Sequence, residues 1–308
     1  LNSYLFITAI PIHCTAPLPI LSSSLSNFLQ TAHQSCSEIM ARRLFSSLSV
    51  QSPINLSVSG GIASLGLSRP QARNALGQDL VHRLRKALHA IRHDRQVRVV
   101  LLHSTVPNVF CAGADLKERA KMDEAEVAMF VHSLRDSFKE VQDLPQPTIA
   151  VLDGAAIGGG LELALACDFR IGSSSAIMGL VETRLGIIPG AGGTQRLARL
   201  IGPSKAKELI FTGRRINGKT ALEIGLIDYY VDGPSGFDEG LKLANDIIPS
   251  GPIAIRAAKT AIDKGLEVDI NSGMVLEELC YSQVIRSKDR IEGIRAFLEK
   301  RPPVFKGE

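Results

Sequence analysis

Two glutamates sit in surroundings that suit acid–base chemistry. Glu162 follows Gly158-Gly159-Gly160 and is flanked by Leu161 and by Leu163-Ala-Leu-Ala166; Glu182 follows Leu180 and Val181. A carboxylate in low-dielectric surroundings has its pKa raised, which suits proton transfer near neutral pH. The glutamates belong to three segments rich in small residues. These are Phe110-Cys-Ala-Gly-Ala-Asp-Leu-Lys117, Asp153 to Asp168, and Met178 to Glu182 followed by Leu185-Gly-Ile-Ile-Pro-Gly190-Ala-Gly-Gly-Thr-Gln-Arg196. Small residues let a ligand approach the backbone, and one N–H from each of two loops would make an oxyanion hole. Blander readings compete: a tight turn, a carboxylate stabilised by a helix dipole, a salt bridge. For either glutamate alone they win, and for both glutamates with both loops the catalytic reading wins.

Other chemistries find less support. Gly213-Arg-Arg-Ile-Asn-Gly-Lys-Thr220 fits the P-loop pattern, but the following segment reaches Gly225 within about two turns, too short for a crossover helix. It reads as a surface loop before a short helix. Gly190-Ala-Gly192 lacks the third glycine of a dinucleotide fingerprint, because Gln195 stands there. No Gly-x-Ser-x-Gly, His-Glu-x-x-His or Cys-x-x-Cys occurs, and no metal site is expected. The five cysteines, at 14, 36, 111, 167 and 280, read as buried free thiols.

The elements that position these residues follow from periodicity. Ile54, Leu56 and Val58 alternate with polar residues before Gly60-Gly61 and Ile62 to Leu67, a hairpin pattern. Leu76, Leu80, Leu84, Leu88 and Ile91 form one helical stripe, within a helix placed from Arg73 to Arg95. Val97–Leu102 and Thr148–Leu152 read as buried strands, 123–141 and about 159–166 as helices. Phe169–Ile171, Ile177–Leu180 and Leu226–Val231 read as short strands. Strands alternating with helices predict an α/β core over residues 52–250. The pattern is helical over 251–308. The composition, 45% hydrophobic and 21% charged with a net charge of +4, suits a large core and implies neither nucleic acid nor membrane by itself.

Residues 1–51 read differently. Residues 1–37 carry no formal charge, and prolines at 11, 17 and 19 break the apolar stretch. From Met40 the text is Arg-bearing, Ser-rich and free of acid until Asp79, an organelle transit signature. The expectation is an N-terminal extension over 1–51 with translation starting at Met40, so that 1–39 are not part of the protein.

The three motif segments together resemble the enoyl-CoA hydratase (crotonase) superfamily, from about residue 54 to 308. Within it, Asp115-Leu-Lys-Glu-Arg-Ala-Lys-Met122 and the C-terminal Lys-Arg-Pro-Pro-Val-Phe-Lys-Gly-Glu are similar to the mitochondrial methylglutaconyl-CoA hydratase branch, which also binds AU-rich RNA. Leu209-Ile-Phe-Thr-Gly-Arg-Arg215 is similar to a related hydratase-domain branch. The resemblance implies a spiral of ββα units with a C-terminal helical region that builds a homotrimer, two of which stack into a hexamer. It implies that Ala114 and Gly159 supply the oxyanion-hole amides. Glu162 activates water for attack at Cβ, and Glu182 gives the proton to Cα. It places Gly190 at the opening of a helix facing the thioester. Ala112, Asp115, Leu116, Lys117 and Gly158 line the substrate and coenzyme A side. The substrate is then a short or branched enoyl-CoA thioester, 3-methylglutaconyl-CoA of leucine catabolism among the options. Coenzyme A is part of that substrate, and no separate cofactor is implied. The implied location is the mitochondrial matrix. Isomerase members usually lose the counterpart of Glu162, so keeping both glutamates favours hydration.

One further reading concerns RNA. Residues 69–98 hold eight Lys or Arg against two Asp, and His82, Arg85, Lys86, His89, Arg92 and His93 lie opposite the leucine stripe. Arg85, Lys86 and Arg92 are the candidate phosphate contacts. A solvated helix face explains the same pattern, and no aromatic residue offers a stacking platform there.

Overall fold

The computed structural model describes residues 52–308, so the expected extension, with Cys14 and Cys36, lies outside the described residues. In chain order the strands are β1 (Ile54–Ser59), β2 (Ile62–Leu67), β3 (Val99–Ser104), β4 (Asn108–Cys111), β5 (Thr148–Leu152), β6 (Gly154–Ile157), β7 (Phe169–Ser173), β8 (Ile177–Gly179), β9 (Ile216–Asn217) and β10 (Tyr229–Val231). The helices of the core are α1 (Gln78–His93), α2 (Leu116–Arg119), α3 (Glu124–Gln142), α4 (Gly159–Leu165), α5 (Gly193–Ile201), α6 (Pro203–Thr212), α7 (Gly218–Glu223) and α8 (Phe237–Ile247). After them come α9 (Pro252–Gly265), α10 (Ile270–Ile285) and α11 (Lys288–Glu299).

The strands sort into two sheets, ordered β1-β2-β3-β5-β7-β10 and β4-β6-β8-β9. From β3 to β8 consecutive strands alternate between them, so each turn of the spiral leaves one strand in each sheet before its helix. In the larger sheet only β1 and β2 pair antiparallel. Their turn residues Gly60 and Gly61 have φ of +57° and +85°, as the paired glycines predict. Every residue of β5 is buried. Alternate residues serve different cores: Val100, Leu102, Ala150 and Leu152 face the main one. Val99, Leu101 and Ile149 face a smaller one closed by Ala244 of α8. Burial on both faces is why these strands read as unbroken apolar runs.

The smaller sheet was legible in the sequence only at β8, expected over Ile177–Leu180. Its strands are short, and β4 and β6 lie inside the glycine-rich motifs. Gly154 pairs with Asn108; its φ is +150°, and a Cβ there would lie 2.0 Å from the Asn108 carbonyl carbon. The helix placed from Arg73 to Arg95 is shorter than expected. It runs Gln78–His93, because Arg73 and Asn74 take φ of +51° and +55°. Asn74 is buried and donates to Ser104 Oγ (2.8 Å) and the Phe110 carbonyl (2.9 Å). Asp123 and Glu126 form a reciprocal capping box at the start of α3.

Past Gly251 the chain is helical as far as Glu299, whereas residues 301–308, expected to be helical, form no helix. Lys259 of α9 ties the helical region to the sheet. Its ammonium pairs with Asp168 at 2.7 Å and donates to the Gln146 carbonyl at 3.2 Å. Cys111, Cys167 and Cys280 are buried free thiols, as expected, and burial pushes the thiols of Cys111 and Cys167 up to about 12.

Gly160 shows how tightly α4 is pressed on β4: a Cβ there would lie 2.2 Å from the Cys111 carbonyl oxygen. Gly160→Ala is expected to destabilise the fold by about 1–3 kcal/mol, the usual range for overpacking. Urea unfolding of the variant beside the wild type checks this; an unchanged midpoint would show that the two elements separate freely.

Candidate active site

The three strands β4, β6 and β8 run parallel and end at one place. Beyond β4 lies Ala112-Gly113-Ala114, beyond β6 lies Gly158, and beyond β8 lies the turn carrying Glu182. The smaller sheet therefore gathers three motifs that are far apart in the sequence.

The first loop is held by main-chain bonds to residues 73–76. Ala112 N–H donates to the Arg73 carbonyl (3.1 Å), Leu76 N–H to the Gly113 carbonyl (2.8 Å), and Asp115 N–H to the Leu76 carbonyl (3.1 Å). Its neighbours are used, but among the described residues the Ala114 N–H has no acceptor. The Gly159 N–H, at the first position of α4, has none either. An ideal Cβ on Gly159 would lie 3.7 Å from Ala114 N, so the two amides are adjacent. Gly113, at φ +96°, brings its loop against the Ile157 carbonyl.

Glu162, in the first turn of α4, is 3% exposed. Its Oε1 accepts N–H bonds from Ala191 (2.9 Å) and Gly193 (2.7 Å), at the start of α5. Burial raises its pKa, while those two bonds and the charges of Arg196 and Arg135 work against the rise. Arg196 supports the loop from within, donating to the Ala191 carbonyl (3.0 Å) and to Gln142 Oε1 (3.0 Å).

Glu182 begins a 3-10 turn over Glu182–Leu185. The turn is fastened to the end of α6: Thr183 Oγ1 donates to the Ile210 carbonyl (2.6 Å), and Arg184 to that of Thr212 (2.6 Å). Glu182 Oε2 is buried and has no hydrogen-bond partner among the described residues. Burial pushes its pKa up to about 7, and the neighbouring Glu162 charge adds to the rise. Each carboxylate rests against a glycine. A Cβ on Gly158 would lie 2.9 Å from Glu182 Oε1, and one on Gly193 would lie 2.9 Å from Glu162 Oε1.

Both glutamates and both free amides face one cleft of about 1270 Å³. Of the residues expected on the substrate side, Ala112, Leu116, Gly158 and Gly190 also line it, whereas Asp115 and Lys117 do not. Asp115 caps α2 through the Lys117 and Glu118 amides and pairs with Arg69 at 2.9 Å; Lys117 is exposed. Gly190 does not open a helix. The helix after it starts at Gly193, because Gly192 at φ +113° forms its N-cap. The segment that mimics a P-loop is indeed followed by a short helix, the six-residue α7, but its first residues, Gly213 to Arg215, line the cleft. On α1, Arg85 pairs with Glu140 and Arg92 donates to the Asp143 carbonyl at 2.9 Å, so two of the three candidate RNA contacts are already engaged; Lys86 lies in the same groove.

Sequence reasoning missed the amides of Ala191 and Gly193, and it missed the cleft's arginines, among them Arg119, Arg135 and Arg184. Arg184 stands two residues after Glu182, a position that signals nothing until α6 is seen beside it. Among the described residues no group of three or more His, Cys, Asp or Glu is arranged to hold a metal, and no helix is long and apolar enough to cross a membrane.

One buried carboxylate, Glu162, and one half-buried carboxylate, Glu182, share a cleft with a pair of amides that have no acceptor among the described residues. The chain belongs to the enoyl-CoA hydratase/isomerase family, whose profile matches residues 57–308. It is 55% identical over 252 residues to mouse mitochondrial enoyl-CoA hydratase domain-containing protein 2, covering 80% of this chain and 85% of that protein. It is 53% identical to human mitochondrial methylglutaconyl-CoA hydratase, covering 80% and 74%. An enoyl-CoA hydratase structure from Bacillus anthracis superposes with a TM-score of 0.80 at 46% identity, covering 83% of this chain and all of that one. The family and the α/β spiral expected from the sequence are both borne out.

The Glu182 environment carries a stability consequence. A carboxylate with a raised folded-state pKa binds more protons folded than unfolded between the ordinary glutamate value and about 7. Its contribution is therefore present at low pH and lost as pH rises through 7. Glu182→Gln is expected to melt higher than the wild type at pH 8, with the two curves converging below pH 5. A wild type that stays the more stable at pH 8 would contradict this burial.

Proposed function

We propose that this protein adds water across the 2,3 double bond of a short or branched enoyl-CoA. The observation that carries the reading is the pairing of Glu162 and Glu182 in one cleft with the unclaimed Ala114 and Gly159 amides. The two N–H groups accept the thioester oxygen and stabilise the negative charge that develops on it as the enolate forms. Glu162 keeps Oε1 on Ala191 and Gly193 and has Oε2 for a water. It removes a proton as the water oxygen bonds to Cβ. Glu182, whose pKa burial pushes up to about 7, is protonated in a substantial share of molecules at neutral pH and gives that proton to Cα. The net change is OH on Cβ and H on Cα, and the proton held by Glu162 then returns to Glu182. The same residues run the reverse dehydration.

The two relatives named above support a CoA-thioester substrate and a mitochondrial setting; the matrix is the location this reading adds. Within the reading no separate cofactor takes part. The exposed apolar side chains of the C-terminal helices, including Leu266 (83% exposed), Ile270 (76%) and Met274 (55%), support assembly as a homotrimer or a pair of stacked trimers.

Hydration of crotonyl-CoA and 3-methylglutaconyl-CoA, followed by loss of enoyl-thioester absorbance, tests the reaction. Glu162→Gln and Glu182→Gln are each expected to lose about 10²- to 10⁴-fold in kcat. A folded wild type that turned over neither substrate would contradict the reading, and turnover surviving Glu162→Gln would favour isomerisation. Light scattering is expected to give three or six copies, and a monomer at micromolar concentration would refute the assembly.

A further inference from the structure

The turn over residues 73–76 touches both free amides without lining the cleft. Leu76 pairs with Ala114 as an isolated bridge. Its side chain also lies against Gly159, where a Cβ would come within 2.9 Å of Leu76 Cδ1. The position of Leu76 therefore bears on the Ala114 N–H and the Gly159 N–H together.

Asn74 pins this turn. It is fully buried, and each of its polar groups is engaged. Its Nδ2 donates to Ser104 Oγ at the end of β3 (2.8 Å) and to the Phe110 carbonyl in β4 (2.9 Å). Its Oδ1 accepts the Arg69 N–H at 2.7 Å, and its own N–H donates to the Arg69 carbonyl at 3.0 Å. Its carbonyl accepts the Cys111 thiol at 3.0 Å. One residue thus joins the corner after β2 to β3 and β4. Its backbone narrows the choice of side chain. At φ +55° most residues are strained, whereas glycine, asparagine and aspartate are tolerated. Glycine would take these partners from the Phe110 carbonyl and the Arg69 N–H, and aspartate would set a carboxylate against the Phe110 carbonyl. Of the three, only asparagine both donates and accepts here at neutral pH.

We propose that Asn74 is a positioning residue for the reaction: by fixing the 73–76 turn to β3 and β4, it aims the Ala114 N–H, beside that of Gly159, at the thioester oxygen. It touches no substrate and acts through Leu76 and the main-chain bonds to residues 112–115. The proposal rests on the reading of the two amides as an oxyanion site. A hydrogen bond to developing charge weakens steeply when misdirected, so a small shift of the turn lowers rate more than affinity.

The test is the carbonyl stretch of bound butanoyl-CoA, labelled with carbon-13 at the thioester carbon and read by infrared difference spectroscopy on the full-length chain. Butanoyl-CoA has no double bond to hydrate, so the readout is separate from turnover. The wild type is expected to lower the stretch below its value in water, because the two N–H groups polarise the carbonyl. Asn74→Gly keeps the positive φ and removes the side chain. It is expected to lose roughly half or more of that lowering, and about 10²-fold in kcat for crotonyl-CoA with KM changed less than about 3-fold. An asparagine that served the fold alone would lower the melting temperature of the variant and leave the bound carbonyl frequency unchanged, and that result would overturn the proposal. Should the glycine variant fail to fold, Asn74→Asp decides on the same readout, since it keeps the volume and the Arg69 bond but not the two Nδ2 donors. A reduced lowering supports the proposal, and an unchanged one overturns it. A wild type that did not lower the stretch at all would overturn the oxyanion reading and the proposal with it, whereas a lowering shared equally by wild type and variant sinks the proposal alone.

Discussion

A carboxylate removed from water must be met by hydrogen bonds or charge, and much of this site is arranged around that demand at Glu162. Two amides at the start of α5 meet one of its oxygens. Gly193 can sit there because a side chain would strike the carboxylate. Arg196 braces the same loop and adds a compensating charge. Glu182 is treated in the opposite way: one of its oxygens is buried without a partner, which favours the protonated form. Two glutamates with different surroundings thus divide the work, one anchored and one poised to hold a proton near neutral pH.

The fold brings this about through its alternation of strands. Each turn of the spiral sends one strand to the larger sheet, whose buried faces supply stability, and one to the smaller sheet, whose strand ends supply the site. Close backbone packing is needed where those ends converge. Gly154, Gly159 and Gly160 each lie where a Cβ would press within 3 Å of a neighbouring element. The clasp between residues 73–76 and 112–115 does the same for the amide of Ala114: it uses up the polar groups on either side and leaves that one free.

What could be read from the sequence follows from this division of labour. The stripe of α1 has a helical period and β3 and β5 are unbroken apolar runs, so these elements and the strands of the larger sheet were legible, whereas α5, α6 and α8 were not read. The residue types and surroundings pointed to Glu162 and Glu182, and the family resemblance that the motifs carry pointed to Ala114 and Gly159; all four face the cleft. Most of the smaller sheet was hidden: β4 and β6 are only four residues long and carry the small residues that otherwise mark loops, β9 has two residues, and only β8 was expected. Arg135 was hidden too: on α3 it is an ordinary exposed cation until the Gly190 loop folds against it. Asp115 misled in the other direction, since its place in a motif reflects helix capping and an ion pair with Arg69.

The central claim is that Glu182 delivers the proton while Glu162 activates the water. The pH dependence of kcat/KM for hydration of crotonyl-CoA tests it most directly. Since Glu182 must be protonated to act, the rate is predicted to fall as pH rises through about 7, and that alkaline limb is predicted to vanish from the residual activity of Glu182→Gln. A rate that keeps rising through pH 7, or an alkaline limb that persists unchanged in the variant, would contradict the assignment.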